Sequence, residues 1–136
     1  MANDELLTLR DFFTLQLQGI RLAILSACET GLPGTELPDE VISLPTGLLQ
    51  AGVAGVIASL WSVADLSTML LLTRFYDLCH NEQLPYAEAL CQAQIWLRDI
   101  TAGELADQYP DLYAPDPDQC PFAHPFYWAA FGYTGI

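Results

Sequence analysis

Two compact apolar runs in the first half of the chain are typical of β-strands that are covered on both faces. Residues 21–27 form the first run (RLAILSA), and residues 53–60 form the second, which is rich in β-branched side chains. Parallel sheets are buried on both sides, so their strands read as continuous apolar segments. Between the two runs, residues 44–51 predict a buried helix that Gly52 terminates.

The middle of the chain has the residue spacing of helices. Residues 66–79 predict one helix, because largely apolar side chains recur there three and four positions apart. These positions are Leu66, Met69, Leu70, Thr73 and Tyr76. Ser62, followed three residues later by Asp65, predicts a capping box at the start of this helix. A second helix is predicted over residues 86–100, after Pro85.

The last third of the chain contains a short helix, a loop and a strand. Thr101 with Glu104 predicts a second capping box and a short helix that Pro110 ends. Residues 109–125 are rich in proline and acidic side chains, which predicts a solvated loop. Residues 126–134 are aromatic and alternate in polarity. This pattern favours a last strand and is compatible with a position at a sheet edge.

The order of these elements predicts an α/β fold with a mostly parallel sheet. In such sheets, ligands and chemistry gather at the carboxyl ends of the strands. Cys28 comes directly after the first predicted strand, and residues 29–39 after it hold two glycines and two prolines, which predicts a loop. Cys28 is therefore the first candidate for a functional residue.

Charge limits the classes of partner. The 136 residues include 4 lysine and arginine residues against 17 aspartate and glutamate residues, a net charge of −13. This charge repels nucleic-acid phosphates and anionic lipid headgroups, so we expect no nucleic acid and no membrane among the partners. A basic peptide or protein is favoured instead.

The length of the chain allows one domain at most.

Two segments and the cysteines bear on the cellular location. Residues 1–11 lack the basic-then-apolar order of a secretory signal. Residues 41–61 carry no charge and are long enough to span a bilayer, but Pro45 and Gln50 interrupt them and no basic residue anchors them. A buried helix followed by a buried strand explains the same residues. The four cysteines match no disulfide scaffold, so we expect a cytoplasmic protein.

Several sequence blocks follow one another in a recognisable order. SACETG stands at residues 26–31, directly after the first apolar strand. It is followed by LPTGLL at 44–49, AGV at 51–53, SLWSVAD at 59–65, HP at 124–125 and YWAAF at 127–131. Together these blocks resemble the CHAT domains, which are caspase- and separase-like peptidase domains often fused to tetratricopeptide repeats. The resemblance covers nearly the whole chain.

The resemblance implies a caspase-like three-layer α/β/α sandwich with the activity of a cysteine endopeptidase. Cys28 would be the nucleophile, whose thiolate attacks a peptide carbonyl while its own backbone N–H helps to stabilise the oxyanion. Glu29, Thr30 and Gly31 would shape the nucleophile loop, and Gly31 would let the backbone turn. No cofactor and no metal are implied. The structural alternative for Cys28 is a buried, unreactive cysteine.

The catalytic histidine of this family lies before the cysteine, about 50 residues upstream in caspases. Only 27 residues precede Cys28, and none of them is histidine. We therefore expect residues 1–136 to be a partial CHAT domain that lacks its N-terminal half and is inactive as an isolated chain. The missing half in a separate chain, or a tetratricopeptide-repeat partner, would then be required; a truncated gene product is the alternative.

Two further residues are candidates for substrate binding. The block that contains Trp61 and Asp65 resembles a separase segment that contributes to the substrate pocket. Asp65 would pair there with a basic P1 side chain of a protein or peptide substrate. Its alternative role is that of an acidic residue at the helix N-cap or in the first turn. Trp61 either lines the substrate cleft or serves as a buried aromatic anchor.

The two histidines of the chain have structural interpretations. His80 comes at the end of a predicted helix, where a cation suits the helix dipole. His124 precedes Pro125 and would hold the loop before the last strand. Replacement of the missing catalytic base is the alternative for each. Together with Cys79, Cys91 and Cys120, they have no recognised metal-ligand spacing.

A competing function is that of a non-catalytic interaction module, in which Cys28 is a relic and the chain binds a partner by strand addition or apolar docking. In either case, strands and apolar faces without the missing half would be open to pairing.

We therefore predict that the 136-residue chain forms a homodimer or a complex, or is poorly soluble, because uncovered strand edges and apolar surface associate. Size-exclusion chromatography measures the oligomeric state. Elution as a compact monomer would contradict this prediction.

Overall fold

The computed structural model describes residues 9–26, 44–112 and 115–136. The chain divides into two compact units, which we call the sheet unit and the helical unit. The sheet unit comprises residues 1–62 and 131–136, and the helical unit comprises residues 63–130. Both helices and strands are present, so the expected α/β class is confirmed.

The described part of the sheet unit contains two helices and three strands. They are α1 (Leu9–Thr14), β1 (Ala23–Leu25), α2 (Leu44–Gln50), β2 (Gly55–Ser59) and β3 (Phe131–Gly135). The three strands form one sheet in the order β1-β2-β3, in which β1 and β2 are parallel and β3 is antiparallel to β2. The two strands predicted from the apolar runs are therefore neighbours in the sheet.

Strand β2 is the centre of the described sheet. All five of its residues are buried, and it pairs with β1 on one side and β3 on the other. Val56 and Ile57 expose none of their surface, which explains the continuous apolar run that predicted a strand covered on both faces. Val56 packs in a small core with Leu48 of α2 and Val53.

The uncharged stretch at residues 41–61 contains a helix followed by a strand, as expected, because α2 and β2 lie within it. Gly52 makes the turn between them with a φ of +106°, a conformation that glycine adopts without steric cost. The Gly52 and Val53 N–H groups donate to the carbonyls of Leu49 and Leu48 at 3.1 Å. Within the described ranges, the helices are too short or too polar to cross a membrane.

The helical unit contains four helices in its described residues. They are α3 (Asp65–His80), α4 (Tyr86–Asp99), α5 (Ala102–Gln108) and α6 (Pro125–Trp128). Helices α3 and α4 pack against each other, and α6 contacts both. The two long helices contribute side chains with no exposed surface, namely Leu70, Leu71, Phe75, Ala89, Ala93 and Leu97.

Helix α3 is confirmed, but most residues whose spacing predicted it are not in the core. Of these residues, only Leu70 is buried, whereas Leu66 is 39% exposed, Met69 is 42% exposed and Tyr76 is 55% exposed. The core face instead carries Ser67, Leu70, Leu71, Phe75 and Leu78. Helix α3 therefore carries apolar side chains on two sides.

Of the two predicted capping boxes, the one at α5 is confirmed. The Thr101 hydroxyl accepts from the Glu104 N–H at 3.2 Å, and the Glu104 carboxylate accepts from the Thr101 N–H at 2.9 Å. The predicted box of Ser62 and Asp65 is wrong. Helix α3 begins at Asp65, so its N-cap is Ala64, which has no side chain that could accept the bond.

The predicted strand over residues 126–134 is also partly wrong. Its first residues form helix α6, and β3 begins only at Phe131. The physical reason lies just before the aromatic run. Pro125 occupies the first turn of α6, where its fixed φ suits a helix and its missing N–H costs nothing, and the His124 side chain caps the helix. Three aromatic residues, Phe126, Tyr127 and Trp128, thus lie in a helix before the chain becomes extended.

A glycine and a tyrosine on neighbouring strands fit closely together in the sheet unit. Gly55 of β2 lies beside the Tyr133 ring of β3, and a Cβ atom at position 55 would come within 2.6 Å of the Tyr133 Oη and 2.7 Å of its Cε2. The ring is held in place because its hydroxyl donates to the Ile136 carbonyl at 3.1 Å. Position 55 is therefore restricted to glycine by the neighbouring ring.

We predict that Gly55→Ala lowers the free energy of unfolding by about 1–3 kcal/mol, because the added methyl group forces the ring or the strand to move. Urea unfolding followed by circular dichroism measures this change. The cost should disappear when Gly55→Ala is made in a Tyr133→Ala background.

Gly132→Ala is the matched control, since a Cβ atom at position 132 meets nothing within 4 Å. An equal loss of stability in Gly55→Ala with and without the Tyr133 ring would show that the contact is not the cause.

Candidate functional site

Two of the sequence motifs directly follow strands that end at the carboxyl edge of the sheet. Strands β1 and β2 are parallel and in register, with Ala23 opposite Val56 and Leu25 opposite Ala58, so both strands end at the same edge. In the sequence, the SACETG block follows β1 and the Leu60-Trp61 pair follows β2. Carboxyl ends of adjacent parallel strands are where α/β proteins most often place binding and chemistry.

The predicted nucleophile and its loop lie outside the described residues. Cys28, Glu29, Thr30 and Gly31 belong to this group. The described part of the first strand ends at Leu25, three positions before Cys28 in the sequence.

Trp61 is half-buried in the sheet unit. The exposure of Trp61 is therefore intermediate between that of a buried aromatic anchor and that of a surface side chain. An indole provides apolar contact area and an N–H group that can donate a hydrogen bond. Lining of a substrate cleft by Trp61 stays a prediction.

Asp65 is the exposed first residue of α3, in the helical unit. The first N–H groups of a helix have no partner within the helix, and the positive end of the helix dipole lies there, so a carboxylate at this position is stabilising. The position explains Asp65 as a first-turn acidic residue without reference to a substrate. Pairing with a basic P1 side chain stays a prediction.

A small cavity of about 140 Å³ lies beside the sheet within the sheet unit. Its lining comes from α2, β2 and β3 and from the residue after β2, and consists of Pro45, Thr46, Leu49, Val56, Ala58, Leu60, Gly132 and Thr134. This lining supplies two threonine side chains and, among the described residues, no carboxylate. The cavity therefore suits a small apolar side chain better than a basic one.

The two histidines occupy helix ends. His80 is the last residue of α3, where a basic side chain complements the helix dipole, as expected from the sequence. His124 is the N-cap of α6, and its Nδ1 atom accepts a hydrogen bond from the Phe126 N–H at 3.1 Å. The sequence analysis missed this cap. The sequence feature that could have predicted the cap is Pro125, because proline favours the first helical position directly after an N-cap.

Three cysteines are described, and each has a different environment. Cys79 is half-buried, and its burial raises the pKa of its thiol, which disfavours the reactive thiolate. Cys120 is also half-buried, and its thiol donates to the Asp99 carbonyl at 3.3 Å, whereas Cys91 is exposed. Across the described ranges, no three His, Cys, Asp or Glu side chains are grouped so that they could hold a metal ion.

Comparison with protein families identifies the chain. The CHAT domain model matches residues 1–135. The chain belongs to the CHAT domain family. The match includes both units of the structure and all the sequence blocks of the resemblance.

The CHAT domain is associated with caspase-like peptidases, and this association is the coarse functional assignment for the chain. A comparison with curated proteins found no match. Roles for individual residues of the CHAT chain are therefore inferred from its motifs and from the geometry described above.

We predict that His124→Ala destabilises the chain by about 1 kcal/mol, because the Phe126 N–H loses its acceptor. His124→Asn should restore most of this loss, since an asparagine side chain also accepts a bond at an N-cap. Thermal unfolding measures both variants. A destabilisation that asparagine does not reduce would contradict the capping role.

Proposed function

We propose that this chain is the nucleophile-bearing part of a caspase- and separase-like cysteine endopeptidase. The observation that carries the proposal is the SACETG block, which follows β1 in a chain of the CHAT family. β1 pairs in parallel with β2 at the core of the sheet unit. In the complete domain, we propose that this sheet becomes part of a three-layer α/β/α sandwich.

The proposed reaction begins when the Cys28 thiolate attacks the carbonyl carbon of a peptide bond. The carbonyl oxygen becomes an oxyanion, which backbone N–H groups near the cysteine stabilise. The C–N bond then breaks, the amine leaves with a proton, and a thioester links the acyl group to Cys28. Water hydrolyses this thioester and restores the thiol.

The missing element is a base that accepts the thiol proton. A cysteine thiol is mostly protonated at neutral pH unless a neighbouring group lowers its pKa. Residues 1–27 contain no histidine, and the Nδ1 atom of His124 already caps α6. We therefore propose that the 136-residue polypeptide does not cleave peptides by itself. A histidine outside residues 1–136, from the N-terminal half of a CHAT domain, would complete the catalytic pair.

The proposed substrate is a protein or peptide, with a basic P1 residue as the specific hypothesis. The net charge of −13 favours a basic segment near the chain. The exposure of the Asp65 carboxylate at the start of α3 supports this hypothesis, since an exposed carboxylate can pair with a cation. The cavity beside the sheet supports a different assignment, because its described lining favours an apolar substrate side chain.

A second candidate function is that of an interaction module without catalysis. The observation that favours it is the exposed apolar side of α3, where Leu66, Met69 and Tyr76 are each at least 39% exposed. Such a surface is typical of a binding site for another protein. On this proposal, Cys28 would be a relic of a peptidase ancestor.

We predict that a peptide chloromethyl ketone with arginine at P1 labels Cys28 only after a histidine-bearing N-terminal half of a CHAT domain is added. The reason is that the added base generates the thiolate, which is the reactive form. Mass spectrometry of proteolytic fragments measures labelling at each cysteine separately.

Cys91 serves as the internal control, because it is exposed and lies outside the family motifs. Its labelling should not respond to the added half. Rapid labelling of Cys28 in the isolated chain, absent in Cys28→Ala, would refute the proposal that this polypeptide is inactive alone. Failure of every added half to activate Cys28 would favour the interaction module.

A further inference from the structure

Helix α3 presents an apolar surface that the helical unit does not use in its core. We define the outer α3 surface as Leu66, Met69, Thr73 and Tyr76. These residues are spaced by three, four and three positions, which brings them to one side of a helix. All four are exposed.

The other side of α3 is already covered. Leu70, Leu71 and Phe75 expose none of their surface, and Leu78 exposes 1%. Apolar side chains on two sides are typical of a helix that is covered on both of them. An ordinary surface helix has polar residues opposite its core face. The outer α3 surface therefore has the composition of an interface.

The charge of the helical unit determines which partner can cover this surface. Residues 63–130 contain ten acidic residues and two arginines, a net charge of −8 with neutral histidines. Both arginines are already paired, Arg74 with Asp77 at 3.6 Å and Arg98 with Asp99 at 2.7 Å. The excess of carboxylates makes the helical unit as a whole attractive to cations and repulsive to anions.

Two acidic residues border the outer α3 surface. Asp65 lies four positions before Met69, so its exposed carboxylate is on the same side of the helix as this surface. Asp77 lies four positions after Thr73, but its carboxylate already binds Arg74 at 3.6 Å and accepts from the Asn81 Nδ2 atom at 2.6 Å. A second copy of this chain, with its own charge of −13, would bring like charges together. An anionic membrane would be repelled for the same reason.

We propose that the outer α3 surface binds a basic amphipathic helix of another protein. Apolar residues of that helix would pack on Leu66, Met69 and Tyr76, and one of its lysine or arginine side chains would approach the exposed Asp65 carboxylate. Met69 suits this role, since its flexible thioether adapts to different partners. The four surface residues have no part in the proposed peptidase reaction, whereas the Asp65 carboxylate would be shared with the proposed P1 interaction.

The test uses the full 136-residue chain and a fluorescent peptide of about 18 residues built from leucine and lysine, with the leucines three and four positions apart. A scrambled peptide of the same composition tests whether charge alone is sufficient. Fluorescence anisotropy gives the affinity of each peptide at about 50 mM and about 500 mM NaCl. We expect the amphipathic peptide to bind more tightly than the scrambled one and to weaken at the higher salt concentration.

Two double variants locate the binding site. Met69→Ser with Tyr76→Ser should weaken binding at least about ten-fold, since it removes two large side chains of the surface. Ile20→Ser with Ile95→Ser is the matched control, because these side chains are similarly exposed, at 42% and 46%, but lie outside α3. The control should stay within about two-fold of the unchanged chain.

Photo-cross-linking of the amphipathic peptide to the unchanged chain provides a test that needs no variant to fold. Cross-links within residues 65–80 would support the proposal, and cross-links confined to other residues would overturn it. Equal binding of the two peptides would also overturn it. Sedimentation velocity measures self-association of the chain. Self-association that the Met69 and Tyr76 substitutions abolish would mean that a second copy covers the surface, and it would overturn the proposal.

Discussion

Burial of β2 on both faces, together with hydrogen bonding on both of its sides, is the constraint on which the sheet unit depends. A strand in this position must carry side chains that can be removed from water and must pair its backbone groups, because a buried polar group without a hydrogen-bond partner costs free energy. Val56 and Ile57 meet the first requirement, because they expose none of their surface, and pairing with β1 and β3 meets the second. The parallel pairing with β1 then makes the two strands end at one edge of the sheet, where the family motifs follow in the sequence.

The parts of the fold that the sequence predicted well are those in which one local signal dominates. The run at residues 53–60 contains the central strand, and Gly52 ends α2 because only glycine adopts its backbone conformation without cost. The box of Thr101 and Glu104 formed because both side chains are at the required spacing and the helix begins directly after Thr101. Ser62 and Asp65 have the same spacing, but the helix begins two residues too late for Ser62 to act as its cap.

The errors arose where two local signals compete, or where tertiary contacts decide between alternatives that are locally equal. Aromatic residues after Pro125 have high strand propensity, yet proline and the His124 cap start a helix first. The apolar positions of α3 predicted a helix correctly but could not reveal which of its two apolar sides faces α4 and α6, because both sides have helical spacing. For the candidate site, the motifs predict roles for Cys28 and Asp65. The structure adds that Asp65 begins a helix, which is a sufficient structural reason for an acidic residue at that position.

The contact between Gly55 and Tyr133 has an evolutionary consequence. Since the ring occupies the space that a side chain at position 55 would need, the two positions are free to change only together. CHAT sequences with an aromatic residue at the position of Tyr133 should therefore retain glycine at the position of Gly55, whereas a small residue at the position of Tyr133 would allow alanine or serine there. Covariation of this pair would mark the antiparallel register of β2 and β3 in relatives whose structures have not been determined.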